Sequence, residues 1–212
     1  MIIKIDISNC FNSTCRALTL DVLSGRASHD YACGLKKGDA IPTCENLSNL
    51  FGYFKAMRTC HATLRYFDWD GQVHFAKGET GGQQGDPLEM LIFNLTTHNL
   101  WGRVLAKFQE ARAIAYADDG YIKGKLSVAL QVLAELKRVL KEDAGLELNV
   151  SKTSILPKGT TQQAVFDVAH SIIASSPALT QLSGDVSLAP FCPEGFVGIG
   201  VSIGTDVFKS RF

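Results

Sequence analysis

An α+β fold, an antiparallel sheet with helices packed on one face, is what the 212-residue sequence predicts. Three observations carry that expectation. Strand-like and helix-like segments are mixed without the regular alternation of a parallel βαβ fold. Two pairs of strand-like segments are separated by short polar turns, the signature of antiparallel hairpins. The clearest helical segment, Leu126 to Lys141, is apolar along one side only, through Leu126, Leu130, Leu133, Leu136 and Leu140.

The elements follow in order. Ile3, Ile5 and Ile7 alternate with Lys4, Asp6 and Ser8, a period of two that predicts a strand ending at Asp6 to Ser8. A helix is expected from Cys15 to Leu23, stopping at Gly25. Residues 26–44 carry glycines, a proline and mixed charges and read as a surface connection. From Glu45 to Arg58 the apolar residues Leu47, Leu50, Phe51, Phe54 and Met57 recur at helical spacing. Ala62 to Phe67 and Gln72 to Ala76 flank Asp68-Trp69-Asp70-Gly71, a hairpin. A glycine-rich turn, Gly78 to Pro87, opens a helix running to about Phe108, with Pro87 as its first residue. Ala111 to Ala117 and Gly120 to Lys123 form a second hairpin with Asp118-Asp119 at its tip. The Leu126 helix stops at Gly145, and Leu146 to Val150 returns as a strand. One helix near Gln163 to Ala174, a loop, and a final glycine-punctuated strand from Phe196 to Ile203 complete the chain.

Bulk composition narrows the class. A 46% hydrophobic content supports a packed core and argues against a disordered chain. Lysine plus arginine equals aspartate plus glutamate at 21 each, so the chain lacks the basic excess usual in free-standing nucleic-acid binders. The six cysteines form no C-x-x-C pair, which argues against a zinc site and for reduced thiols. The five histidines show no metal-ligand spacing. The N-terminus is too soon polar for a secretory signal, and no apolar run approaches the ~20 residues that span a bilayer. A soluble intracellular protein without membrane attachment is expected, with nothing to separate nucleus from cytoplasm.

The chemistry-bearing residues are acids at strand ends. Adjacent carboxylates such as Asp118 and Asp119 repel each other, and a divalent cation beside them is the commonest relief; the alternative is a solvated acidic turn. Here the pair follows the apolar run Ile114-Ala115-Tyr116-Ala117, and Asp6 likewise ends an apolar strand. Neighbouring strands lie only about 4.8 Å apart, so two such ends can meet on one sheet. Three carboxylates there suit two Mg2+ ions about 3.5–4 Å apart, the spacing of in-line phosphoryl transfer.

Five segments, in order, carry a resemblance to reverse transcriptases. Asp6-Ile-Ser-Asn-Cys-Phe11 resembles the motif in which a catalytic Asp precedes an aromatic by five positions. Gly82-Gln83-Gln84-Gly85-Asp86-Pro87-Leu88 is similar to the G-x-Q-G-D-P-L turn, and Tyr116-Ala117-Asp118-Asp119 to the Y-x-D-D hairpin. Gly145 to Thr153 resembles G-L-x-L-N-x-x-K-T, and Gly195 to Phe208 resembles the L-G-x-P-I-G strand of non-LTR retrotransposon enzymes. The resemblance implies a polymerase palm spanning residues 1–212. It implies an RNA-directed DNA polymerase that adds deoxynucleoside triphosphates to a DNA primer along an RNA template, using two Mg2+ ions, with Mn2+ as a substitute.

It also implies roles. Asp6, Asp118 and Asp119 would be the catalytic metal ligands, with Asp6 and Asp118 bridging both ions. Phe11 would lie under the sugar of the incoming nucleotide and leave no room for a 2′-hydroxyl; otherwise it is a core phenylalanine. Gln84 and Gly85 would support template and nucleotide by close backbone approach, or simply cap a helix. Lys152 would stabilise or protonate the leaving pyrophosphate, or stand solvated after its strand. Tyr116 would pack near the primer end or fill the core.

The chain departs from the family where Met1 stands five positions before Asp6 and little follows the last strand, so most of the fingers and the thumb of a longer polyprotein are expected to be missing. Three readings follow: a polymerase core, a catalytically incomplete remnant of a retroelement, and a palm-fold nucleic-acid-binding or scaffold protein.

Overall fold

The computed structural model describes residues 1–24, 48–59, 62–78, 81–82, 86, 88–149, 152–156, 162–182, 192–198 and 201–210. In chain order the first elements are β1 (Ile2–Ser8), α1 (Cys10–Ser13), α2 (Arg16–Leu23), α3 (Ser48–Thr59), β2 (Ala62–Phe67), β3 (Val73–Gly78) and α4 (Glu89–Lys107). Then come β4 (Arg112–Tyr116), β5 (Asp119–Lys123), α5 (Leu126–Ala144), β6 (Glu147–Leu148), β7 (Ser154–Leu156) and α6 (Gln162–Ala174). A 3₁₀ turn (Pro177–Leu182), β8 (Gly195–Gly198), β9 (Val201–Gly204) and α7 (Asp206–Lys209) follow.

The sequence makes β1 the middle strand. Its odd residues Ile3, Ile5 and Ile7 are almost fully buried, so β1 needs a helix layer on that face and a partner on each edge. One edge pairs antiparallel with β5, which pairs in turn with β4. The other edge is shared end to end: β7 pairs with Ile2 to Lys4 and β6 with Ile7 and Ser8, both antiparallel. Against the isoleucine face lie Phe93, Leu100, Trp101 and Val104 of α4 and the leucine side of α5, in one continuous core. The expected α+β architecture is therefore the observed one.

Two buried threonines on α4 are satisfied locally. Thr96 and Thr97 hydroxyls donate to the Ile92 and Phe93 carbonyls, and Thr96 meets Thr19 of α2 at 3.1 Å. The end of α5 is fixed by Gly145 at φ 67, where the Leu146 amide donates back to the Leu140 carbonyl, a Schellman arrangement that needs the left-handed conformation.

Four expectations need correction. The Leu146–Val150 strand is only two residues long, because the Asn149 carbonyl accepts from both the Lys152 and Thr153 amides and turns the chain. Pairing resumes at β7, which has too few residues for a recognisable period. The single strand expected over Phe196 to Ile203 is a hairpin, β8 against β9, closing between Gly198 and Val201. Apolar residues alternate on both sides of Ile199-Gly200, so the sequence reads as one continuous strand. The loop expected after α6 contains the 3₁₀ turn, whose Leu179 and Leu182 are buried in the core. α4 is helical from Glu89 rather than residue 87; there Asp86 accepts the Leu88 amide on its side chain and the Glu89 amide on its carbonyl. The 26–44 connection lies outside the described residues. No helix among the described residues is long and apolar enough to cross a membrane.

Gly120 faces Ile5 across the β1–β5 ladder, and a Cβ there would stand 2.7 Å from both the Ile5 side chain and the Trp101 ring. Gly120→Ala is therefore expected to destabilise the fold by about 1–3 kcal/mol through overpacking; chemical denaturation of the two proteins measures it, and an unchanged midpoint refutes the tight β1–α4 packing described here.

Candidate active site

Alternation along β1 sends Lys4, Asp6 and Ser8 to the face opposite the helices. The register then builds rows across the strands: Asp6 lies opposite Asp119, which lies opposite Tyr116, and Lys4 lies opposite Tyr121. Directly opposed residues of an antiparallel pair have Cα atoms about 4.5–5.5 Å apart. The two distant acidic strand ends thus meet on one open face.

The hairpin tip that carries Asp118 is strained at one residue and pinned by two hydrogen bonds. Ala117 has φ 52, a left-handed value that costs a non-glycine residue about 1–2 kcal/mol. Its amide donates to Asn94 Oδ1 of α4 at 3.0 Å, and the Asp118 carbonyl accepts the Ile7 amide at 3.1 Å. On the β1 side, Asn9 takes up a left-handed turn (φ 45, ψ 37) that asparagine tolerates, swinging Cys10 and Phe11 alongside the acids. The Asn149 amide donates to the Asp6 carbonyl at 2.8 Å and brings Lys152 to the site.

These segments line an open cleft of about 420 Å³, with Asp6, Asp118, Phe11, Asn149 and Lys152 among its walls. Lys152 Nζ stands 3.7 Å from Asp6 Oδ1. Phe11 meets Phe93 edge-on at 5.5 Å, so its ring is both cleft wall and core contact. Tyr116 is half exposed on the open face and does not fill the core. Gln84 and Gly85 lie outside the described residues.

Asp119 is engaged differently from its neighbours. Its Oδ1 is 3.2 Å from Lys4 Nζ and its Oδ2 accepts the Tyr121 hydroxyl at 3.1 Å. Lys4 also reaches the Val197 carbonyl of β8 at 3.5 Å, tying that hairpin to the sheet. Among the described residues no group of three Asp, Glu, His or Cys side chains is gathered closely enough to hold a metal ion. The donor chemistry nonetheless suits a hard divalent cation: carboxylate oxygens on an open cleft, with Asp6 crowded by like charge.

Sequence reasoning missed Lys4, Asn9, Asn94 and Asn149. Lys4 shares the open face with Asp6 by simple alternation, a signal that could have found it. Asn9 acts through its left-handed backbone, Asn94 through its side-chain oxygen and Asn149 through its amide, all of which need the tertiary fold.

Burial pushes the Asp6 carboxyl above its ordinary range; Lys152 and Lys4 pull it back, while Asp118 and Asp119 push it further. Burial, with Asp118, also drives the Cys10 thiol up to about 12, and Cys10, Cys15 and Cys192 are free. A carboxyl that holds its proton more tightly when folded stabilises the fold below the ordinary carboxylate range and opposes it once pH passes the raised folded value. In chelator at neutral pH, Asp6→Asn should therefore raise the Tm, and the gain should fade on acidification below about pH 4. Thermal melts across that range check this; a lower Tm at neutral pH would mean that Lys152 and Lys4 more than compensate the buried charge.

Comparison with known proteins fits this geometry. The fold is similar to telomerase from Candida albicans, whose structure was solved in complex with a TWJ fragment of telomeric RNA, at TM-score 0.51 and 16% identity over 76% of this chain. The match spans 28% of that protein's chain. No curated protein sequence matches significantly. The sequence model of the reverse transcriptase (RNA-dependent DNA polymerase) family matches residues 39–166, more than half of the chain. The chain belongs to the reverse transcriptase family. The matched span includes Asp118, Asp119 and Lys152, whereas Asp6 and Phe11 precede it. Members of this family copy RNA from a nucleic-acid primer and use divalent metal ions.

Proposed function

We propose that the chain is the palm core of an RNA-directed DNA polymerase from a retroelement of the non-LTR type, adding deoxynucleotides to a primer 3′-hydroxyl. The observation that carries this reading is the register that sets Asp6 opposite Asp119 and beside Asp118, on a cleft shared with Phe11 and Lys152. The non-LTR assignment is supported by the Gly195 to Phe208 segment.

Asp6 and Asp118, joined by Asp119 once it leaves Lys4, would hold the divalent ions, Mg2+ or Mn2+. When bound, such ions lower the pKa of a primer hydroxyl and neutralise a triphosphate. Phe11 would bear on the sugar of the incoming nucleotide, and its ring would exclude a 2′-hydroxyl. Lys152, at the cleft mouth, would meet the departing pyrophosphate and donate charge or a proton. Tyr116 would contact the primer end from the open face. Gln84 and Gly85 would support template and nucleotide.

Primer extension on an RNA template tests the reading. Asp118→Ala is expected to lower extension by at least about 10²–10³-fold, as loss of a group acting on transition-state charge does. Extension that survives the substitution refutes it. Phe11→Val is expected to leave deoxynucleotide addition largely intact while raising ribonucleotide incorporation, read by competing the two substrates; unchanged discrimination removes Phe11 from the sugar site.

The Lys4–Asp119 pair favours a second reading, since an internal ammonium already answers one of the three carboxylates. On that reading the chain is a catalytically incomplete remnant or a palm-fold binding or scaffold protein. Calorimetric Mg2+ titration separates the cases: binding without extension identifies the remnant, and no binding the scaffold.

A further inference from the structure

The β2–β3 hairpin stands apart from the main sheet as its own two-stranded ribbon, with no extensive packing on another element among the described residues. A lone two-stranded ribbon is marginal in water and gains little by displaying apolar rings. This one displays many: Leu64, Tyr66, Phe67, Trp69, Val73 and Phe75 are all exposed, and Trp69 at the tip is completely so. Contiguous exposed aromatic surface of this kind marks an interaction site.

The register sorts the ribbon into two unlike faces. Arg65 lies opposite Phe75, Phe67 opposite Val73 and Thr63 opposite Lys77, so one face carries two rings and two cations with no carboxylate. Arg65 already lies over the Phe67 ring at 5.2 Å. The acid nearest the turn, Asp68, is engaged elsewhere: it accepts the Asp70 and Gln72 amides and pairs with His74 at 2.6 Å. That hydrogen bond from His74 holds its carboxyl below the usual range. His74 itself stacks on Tyr66 on the opposite face. Asp70 remains at the tip, beside Trp69.

We propose that the Arg65–Phe67–Phe75–Lys77 face of this ribbon binds single-stranded nucleic acid, the rings stacking on unpaired bases and the two cations meeting the flanking phosphates. Rings spaced along a carboxylate-free cationic strip suit such a strand, because every base offers a π-face and every linkage an anion. The occupant is a polyanion rather than an apolar peptide, since Arg65 and Lys77 would otherwise be desolvated without partners. The inference deepens the polymerase reading by giving the strand outside the cleft a place to lie, and it rests on that reading for its biological sense.

Binding of the full chain to fluorescein-labelled oligonucleotides of about 12 nucleotides, as single-stranded RNA, single-stranded DNA and duplex, tests it by anisotropy. Both single strands are expected to bind more tightly than the duplex and to quench the exposed Trp69. Phe67→Ala/Phe75→Ala should weaken binding at least about tenfold, and Arg65→Ala/Lys77→Ala should flatten the salt dependence. Circular dichroism checks that these exposed positions leave the fold intact. Preference for one sugar identifies which strand is held, and either preference supports the inference. Unchanged affinity in both double variants overturns it, as does absence of binding by the unaltered chain. A dimer in sedimentation that Phe67→Ala/Phe75→Ala disperses without changing affinity also overturns it, assigning the face to a second copy. Asp118→Ala should abolish primer extension yet leave this binding unaltered, so failure of the polymerase reading and failure of this one are separable.

Discussion

Everything in the structure hangs on β1 being hydrogen-bonded along both edges while only one of its faces is sealed. The isoleucines at 3, 5 and 7 cannot face water, so helices α4 and α5 must cover them. Once they do, Lys4, Asp6 and Ser8 have no choice but the other side. A one-residue slip would turn the aspartate into the helix-covered core and expose the isoleucines, a far costlier arrangement, and so the hydrophobic pattern alone fixes which way the carboxylate points. Gly120 reinforces the same register, because only at that position can the neighbouring strand lie flat between Ile5 and Trp101.

From that register comes a surface with opposing demands. Asp6 is held where desolvation and like charge both penalise its ionisation, with Lys4 of its own strand and Lys152 beside it as counter-charges. Stability at neutral pH is spent here on concentrating negative charge, and elsewhere the fold is conventional: a leucine-faced helix, a Schellman stop and threonines bonded to their own helix. Strain is confined to the same place, with Ala117 in a glycine-like conformation held by Asn94. Such concentration of unfavourable terms at one site is characteristic of functional positions.

Much of this was legible from residues alone, and the divisions are instructive. Period-two alternation at residues 3–8 and period-3.6 leucines at 126–140 are long enough to override local noise, so β1 and α5 could be read directly. Asp6 could be placed because it is tied to such an element, Asp118 because it closes a recognisable hairpin, and Phe11 only through the resemblance of its motif. Elements of two to four residues, such as β6, β7 and α1, carry no period to detect and exist only because β1 offers an edge or Asn9 a turn. The β8–β9 hairpin hid because apolar residues alternate from Phe196 to Ile203 without a recognisable break. The Lys4–Asp119 pair was invisible for a different reason: it depends on a diagonal across two strands, separated by more than half the chain.

The position of Cys10 has a chemical consequence for a cleft crowded with acids. Burial beside Asp118 displaces its ionisation well upward, so the protonated thiol predominates at physiological pH. Peroxide and electrophiles attack thiolates, so the sulfur nearest the carboxylates is chemically quiet under oxidative stress, and thiol-directed reagents would label the chain elsewhere and leave the cleft intact.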